Sequence, residues 1–84
     1  NSSKPADMDL RPVAIQDVLH DSIGQAQDRM ALKNIRLVTE FGYDCLLALD
    51  KPKIELAFNN IIMNAIEAME ENRGVLKVST NRQD

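Results

Sequence analysis

The sequence is poor in the residues that mark several protein classes. It has no tryptophan, one tyrosine, two phenylalanines, three glycines, three prolines and one cysteine in 84 residues. A lone cysteine, Cys45, makes no internal disulfide, so the chain is not a stapled secreted scaffold and reads as cytosolic. Gly24, Gly42 and Gly74 lie far apart, so no glycine-rich loop is present whose backbone amides cradle a phosphate. No apolar run approaches the ~20 residues that span a bilayer, and the start, Asn1-Ser2-Ser3-Lys4-Pro5, lacks the apolar stretch of a signal peptide. Ten lysines and arginines, scattered from Lys4 to Arg82, are outnumbered by 13 acidic residues. The net charge of −3 leaves no basic stripe for nucleic acid or for direct contact with an anionic membrane. The length excludes two domains, because a chain this short buries roughly 60% of its unfolded surface, enough for one small core.

What is present is hydrophobic periodicity. Residues 1–8 are polar, contain a proline and show no period, so they read as a tail or linker. Asp9 to Val13 is a short extended candidate, with Pro12 pushing Arg11 toward extended angles and favouring a sheet edge. Ile15, Leu19, Ile23, Ala26 and Met30 then recur at spacings of three and four, which predicts an amphipathic helix of about four turns ending near Lys33-Asn34. From Ile35 the period changes to two, with Ile35, Leu37, Thr39 and Phe41 on one face of a half-buried strand. Gly42-Tyr43-Asp44 is short enough to close a hairpin onto a more deeply buried partner strand, Cys45 to Leu49. Asp50 is a good N-cap, Pro52 suits a first turn, and a second helix is expected to about Glu71. Val75 to Thr80 reads as a final strand. The order predicts an α+β fold, a two-layer sandwich of two helices on a mixed, mostly antiparallel sheet.

The second helix carries the candidate chemistry. Its apolar arc, Ile54, Phe58, Ile61, Ile62, Ala65, Ala68 and Met69, is expected to pack on the sheet, opposite a polar stripe of Lys53, Asn60, Asn64, Glu67 and Glu71. Any amphipathic helix has a polar face, but asparagine is a poor choice for a merely solvated one. Its amide competes with the helical backbone, whereas Glu, Lys or Gln would serve at less cost. Two asparagines four residues apart place neutral carbonyl oxygens on one line. Such oxygens complete the octahedron of a Mg²⁺ held by phosphates and water, without adding repulsion toward a triphosphate.

Phe58-Asn59-Asn60-Ile61-Ile62-Met63-Asn64-Ala65-Ile66-Glu67-Ala68-Met69 resembles the N box of the ATP-binding catalytic domain of bacterial two-component sensor histidine kinases, close to N-L-L-x-N-A-x-E-A-M. That domain belongs to the superfamily that includes gyrase and the mismatch-repair protein MutL. Pro12-Val13-Ala14-Ile15, Asn34-Ile35-Arg36-Leu37, Leu49-Asp50 and Gly74-Val75-Leu76-Lys77-Val78 extend the resemblance over nearly the whole chain from Asp9. It implies that residues 9–84 are the N-terminal portion of such a domain, with a truncated histidine-kinase-type ATPase fold. It implies ATP and Mg²⁺ as cofactors in the parent, with Asn64 as the metal ligand and Asn60 and Glu67 in the nucleotide region. The implied partners are a histidine-containing dimerisation domain and a response regulator. Hydrolysing branches of the superfamily typically carry a glutamate general base four residues before the metal asparagine. Asn60 there accepts no proton, which favours a kinase over a hydrolase.

The family's adenine-reading glycine loop, its lid and its phosphate loop are not in these residues, so the fragment is expected to bind ATP weakly or not at all. Ala14 departs from the capping Asp or Asn that the family often has before the first helix. Leu19-His20-Asp21-Ser22-Ile23-Gly24-Gln25 resembles a phosphoacceptor motif, L-H-D-x-x-G-Q, yet the residues around it fit the first helix of the ATP-binding domain. His20 is therefore read as a surface histidine, with phosphoacceptor as the alternative. The competing function is a non-catalytic interaction or phosphotransfer module that keeps the kinase scaffold without nucleotide binding. Missing strands leave an open sheet edge, from which self-association is expected.

Overall fold

The expected α+β order is present in a computed structural model that describes residues 7–82. The bulk of the expected tail, residues 1–6, lies outside the described residues, as do 83–84. The elements are β1 (Arg11–Ala14), α1 (Ile15–Lys33), β2 (Arg36–Phe41), β3 (Leu46–Leu49), α2 (Lys51–Ala68) and β4 (Val75–Thr80). α1 is 19 residues long, about five turns rather than four. It stops where expected, with Asn34 left-handed at φ 52°. α2 ends at Ala68, a turn earlier than its polar stripe suggested.

The strands pair differently from the expected hairpin. β2 and β3 do not pair: β1 pairs antiparallel with β3, Arg11 opposite Leu49, while β2 pairs parallel with β4, Leu37 opposite Leu76. A parallel pair needs a long crossover, and α2 supplies it. The reason lies at Gly42-Tyr43-Asp44. Gly42 N–H donates to Thr80 O at 2.9 Å and Thr80 Oγ1 donates to Tyr43 O at 2.7 Å, so the loop is bound to the end of β4. Past it, Cys45 O accepts from Ile15 N–H at 3.1 Å, which carries the chain away to β1. β3 is also not deeply buried, with Leu46 69% and Leu47 45% exposed.

The core lies between the two helices and the β2–β4 pair. Ile23, Ala26 and Met30 of α1 meet Ile62 and Ile66 of α2 and Leu76 of β4, with Ile35, Leu37, Phe41 and Val78 packed against them. Ile66 and Val18 are fully buried. The seat of α2 differs from the apolar arc in the sequence. Ile66, outside that arc, is at its centre, whereas Ile61 is 63% exposed and Ala68 faces outward. Ile62 of the arc is buried and Ile54, Phe58, Ala65 and Met69 are half-buried as expected, with Glu55 and Asn59 half-buried beside them on the side facing α1.

Both helices borrow a cap. Ala14 offers α1 no side-chain cap, and Asp44 replaces it from the β2–β3 loop, its Oδ1 accepting from Gln16 N–H at 3.1 Å. α2 has no basic residue in its last turn. Lys33 Nζ reaches across from α1 to donate to Ile66 O at 2.9 Å and Glu67 O at 3.3 Å.

Candidate functional site

Asn60 and Asn64 stand one turn apart on the outward face of α2. Both are exposed, and neither side chain has a hydrogen-bond partner among the described residues. No contact among the described residues uses their amides, although each lowers the helix propensity of a segment that is otherwise rich in Ile and Ala. An unpaired amide oxygen at this position is free to ligate a hard cation, and its neutrality suits one already shared with phosphate oxygens.

The rest of the polar stripe is divided between other tasks. Lys53 lies at the opposite end of α2, where its Nζ donates to Asp7 O at 3.1 Å and sits 3.9 Å from Asp50 Oδ2. Asp50, 7% exposed, caps α2 by accepting from Lys53 N–H at 3.4 Å and ties down the chain before β1 by accepting from Asp9 N–H at 2.9 Å. Glu67 is on the same face as Asn64, but its Oε2 accepts from Arg29 Nη1 at 3.2 Å. Glu67 therefore comes with an α1 partner, and with Arg29, Leu32, Lys33 and Glu71 it lines an open cleft of about 550 Å³ at the end of the helix.

His20 is exposed and packs edge-on against Phe41, ring centroids 5.4 Å apart and planes at 68°. Among the described residues no carboxylate hydrogen-bonds its ring. Asp21, the neighbour that would orient the imidazole in a phosphoacceptor, is instead 3.1 Å from Lys51 Nζ. Cys45 is a half-buried free thiol. No group of three or more His, Cys, Asp or Glu among the described residues is placed to hold a metal ion. No described helix is long and apolar enough to cross a membrane.

Contacts between α1 and α2 were not foreseen from the sequence. Asp21, Gln25, Arg29 and Lys33, each four residues apart, face Lys51, Asn59, Glu67 and the last carbonyls of α2. Lys51 holds the Asp21 carboxyl below its ordinary range, and Asp21 in turn raises the Lys51 ammonium. Burial, and then the Asp21 carboxylate beside it, pushes the Glu55 carboxyl up. The two neighbouring carboxyls are thus shifted in opposite directions, Asp21 down and Glu55 up. The four-residue spacing along α1 was the available signal, masked because charged residues at that spacing also describe a solvated face.

No family model matches this chain, and no curated protein matches it. Solved structures do match. The histidine kinase AdeS of Acinetobacter baumannii superposes with a TM-score of 0.77 at 18% identity, over 93% of this chain and 38% of that one. The catalytic domain of the histidine kinase ThkA, in a nucleotide-free form, superposes with a TM-score of 0.82 at 21% identity, over 90% of this chain and 52% of that one. The chain thus spans about two-fifths and one-half of these proteins, and over that span it has the fold of a histidine kinase catalytic domain.

Proposed function

We propose that residues 9–84 are the N-terminal portion of the ATP-binding catalytic domain of a sensor histidine kinase, and that Asn64 ligates the Mg²⁺ of bound ATP. The observation that carries this reading is the pair of exposed, unpartnered amides, Asn60 and Asn64, on the outward face of a helix whose surrounding fold is that of histidine kinase catalytic domains. Asn64 Oδ1 supplies one neutral oxygen to the metal, and Asn60, one turn earlier, lines the phosphate side. Glu67 borders the same region, with Arg29 offsetting its charge. A Mg²⁺ held there by Asn64 would supply charge neutralisation of the triphosphate and polarisation of the γ-phosphoryl group. Ile62 and Ile66 seat the helix that presents these amides, so a metal ligand on this face is held by the core rather than by a loop.

In the parent protein the phosphoryl group passes to a histidine on a dimerisation domain and then to an aspartate of a response regulator. With Asn60 in place of a carboxylate, water near the γ-phosphate has no general base at that position, which favours transfer to histidine over hydrolysis. The test is phosphorylation of the protein that carries this chain, with radiolabelled ATP and Mg²⁺, followed by an acid-lability assay for phosphohistidine. Asn64→Ala is expected to lower labelling about 100-fold or more. Full labelling in Asn64→Ala contradicts the assignment, and ATP turnover without phosphohistidine makes the chain part of a hydrolase. No ATP binding at all by that protein favours the non-catalytic module.

A further inference from the structure

The buried face of α1 consists of Val18, Leu19, Ser22, Ile23, Ala26 and Met30, and Ser22 is its polar member. Ser22 is 0% exposed, and its Oγ has no hydrogen-bond partner among the described residues. A helical serine can return its hydroxyl to a carbonyl of the preceding turn, but Ser22 does not. Alanine here would make a better helix and bury no hydroxyl, so serine costs free energy on both counts. Buried polar atoms without partners are rare enough to need a reason.

Across the seam, α2 carries a second such atom. Asn59 Nδ2 donates to Gln25 Oε1 at 2.7 Å, while Asn59 Oδ1 is buried without a partner among the described residues. Turning both amides over would only exchange the unpaired oxygen for an unpaired nitrogen. Both orphans line one cleft: Ser22, Gln25, Ala26, Asn59 and Met63 surround about 200 Å³ between the helices, and Gln25 is exposed to solvent. A water takes up about 30 Å³ and needs roughly two to four polar partners, so the cleft has the room and the groups. An ion does not suit it, because no charged side chain lines it. An apolar guest would leave both polar atoms unpaired. What fits is a neutral group that accepts and donates at one point, as water does when it accepts from the Ser22 hydroxyl and donates to Asn59 Oδ1.

We infer that the cleft at the α1–α2 seam is a binding site for structural water, held between Ser22 of α1 and Asn59 of α2. A bridge of this kind is enthalpically close to a direct hydrogen bond. It closes a bonded chain from Ser22 through water and Asn59 back to Gln25, so the turn of α2 that begins at Asn59 and leads into Asn60 is joined to α1 by polar bonds as well as by apolar packing. The site needs neither metal nor nucleotide, and it stands or falls apart from the role of Asn64.

The experiment is water–protein nuclear Overhauser spectroscopy on the isotope-labelled 84-residue chain. Wild type is expected to show cross-peaks from water to the methyl groups of Ala26 and Met63, which line the cleft, with the sign that marks bound rather than bulk water. Asn59→Leu removes the acceptor on α2 and keeps Ser22, and it is expected to lose these cross-peaks while retaining a cooperative thermal transition. Cross-peaks that persist in folded Asn59→Leu come from exchange of the Ser22 hydroxyl itself and overturn the inference, as does their absence from wild type. A second measurement does not depend on that variant folding. In a dry cleft, Ser22→Ala deletes an unpaired hydroxyl and raises Tm by about 4 °C or more; with water bound it deletes a bonded one, and Tm is expected to stay the same or fall. An increase in Tm overturns the inference.

Discussion

Leu76 and Leu46 are both strand leucines, yet one is 7% exposed and the other 69%. Leu76 belongs to the β2–β4 pair, which has both helices packed on one face, whereas Leu46 belongs to the β1–β3 ribbon, which presents leucines to solvent on both of its faces. A two-stranded ribbon without a covered face is marginal by itself. The ribbon is held instead by polar ties: Asp50 to Asp9, Asp44 to α1, and Cys45 O to Ile15. α2 spans the two regions. Its C-terminal half, with Asn64, rests on the core, and its N-terminal half is fastened to the ribbon through Asp50.

This contrast orders the expected effects of substitution. Ile66→Ala opens a cavity at the fully buried centre of the packed side and is expected to cost about 3 kcal/mol in urea or thermal unfolding; a cost under about 1 kcal/mol would show that the core is not where we place it. Gly74→Ala comes next. An added Cβ meets Met69 Cβ at 2.9 Å and Ile35 Cγ1 at 3.1 Å, so the turn before β4 must shift, at about 1–3 kcal/mol. On the ribbon side, Asp50→Ala removes the α2 cap and the tie to Asp9 together and is expected to cost about 1–2 kcal/mol, with hydrogen exchange rising first in β1.

Two smaller effects sharpen the contrast. The folded state raises the Glu55 carboxyl above its ordinary value of 4.5, so the stability it contributes is complete below that pH and lost as pH rises through the folded value. Glu55→Gln is therefore expected to raise Tm by a few degrees at pH 7, with the gain vanishing below pH 4.5; a gain independent of pH would contradict the assignment. Leu46→Lys on the exposed ribbon is expected to change stability by less than about 0.5 kcal/mol. The same change should reduce self-association in sedimentation at high concentration, if the ribbon and its open edges are where copies meet.

The sequence showed the elements more clearly than their partners. Asn34, Asp50 and the β-branched run from Val75 mark local events, in which the deciding contacts lie within a few residues, and those boundaries agree with the structure. The hairpin after Phe41 failed because its outcome depends on Thr80, nearly 40 positions away, binding the loop in place of β3. The place of Ile66 at the centre of the core was missed for a related reason: α2 packs on α1 as well as on the sheet, and only the sheet side was anticipated from its spacing. Asn60 and Asn64 stand out in the sequence because asparagine is unfavourable in a helix interior, and the structure adds only that both are exposed with no hydrogen-bond partner among the described residues. The role of Glu67 was less legible, since its partner Arg29 sits on another element.

The central claim is that Asn64 is the metal ligand on this helix. Mn²⁺ with ATP, added to the 84-residue chain at millimolar concentration, should broaden NMR signals even where affinity is weak. The account predicts broadening centred on the side-chain amides of Asn64 and Asn60 and abolished in Asn64→Ala. Broadening centred instead on Glu67 and Glu71, and unchanged in Asn64→Ala, would contradict it.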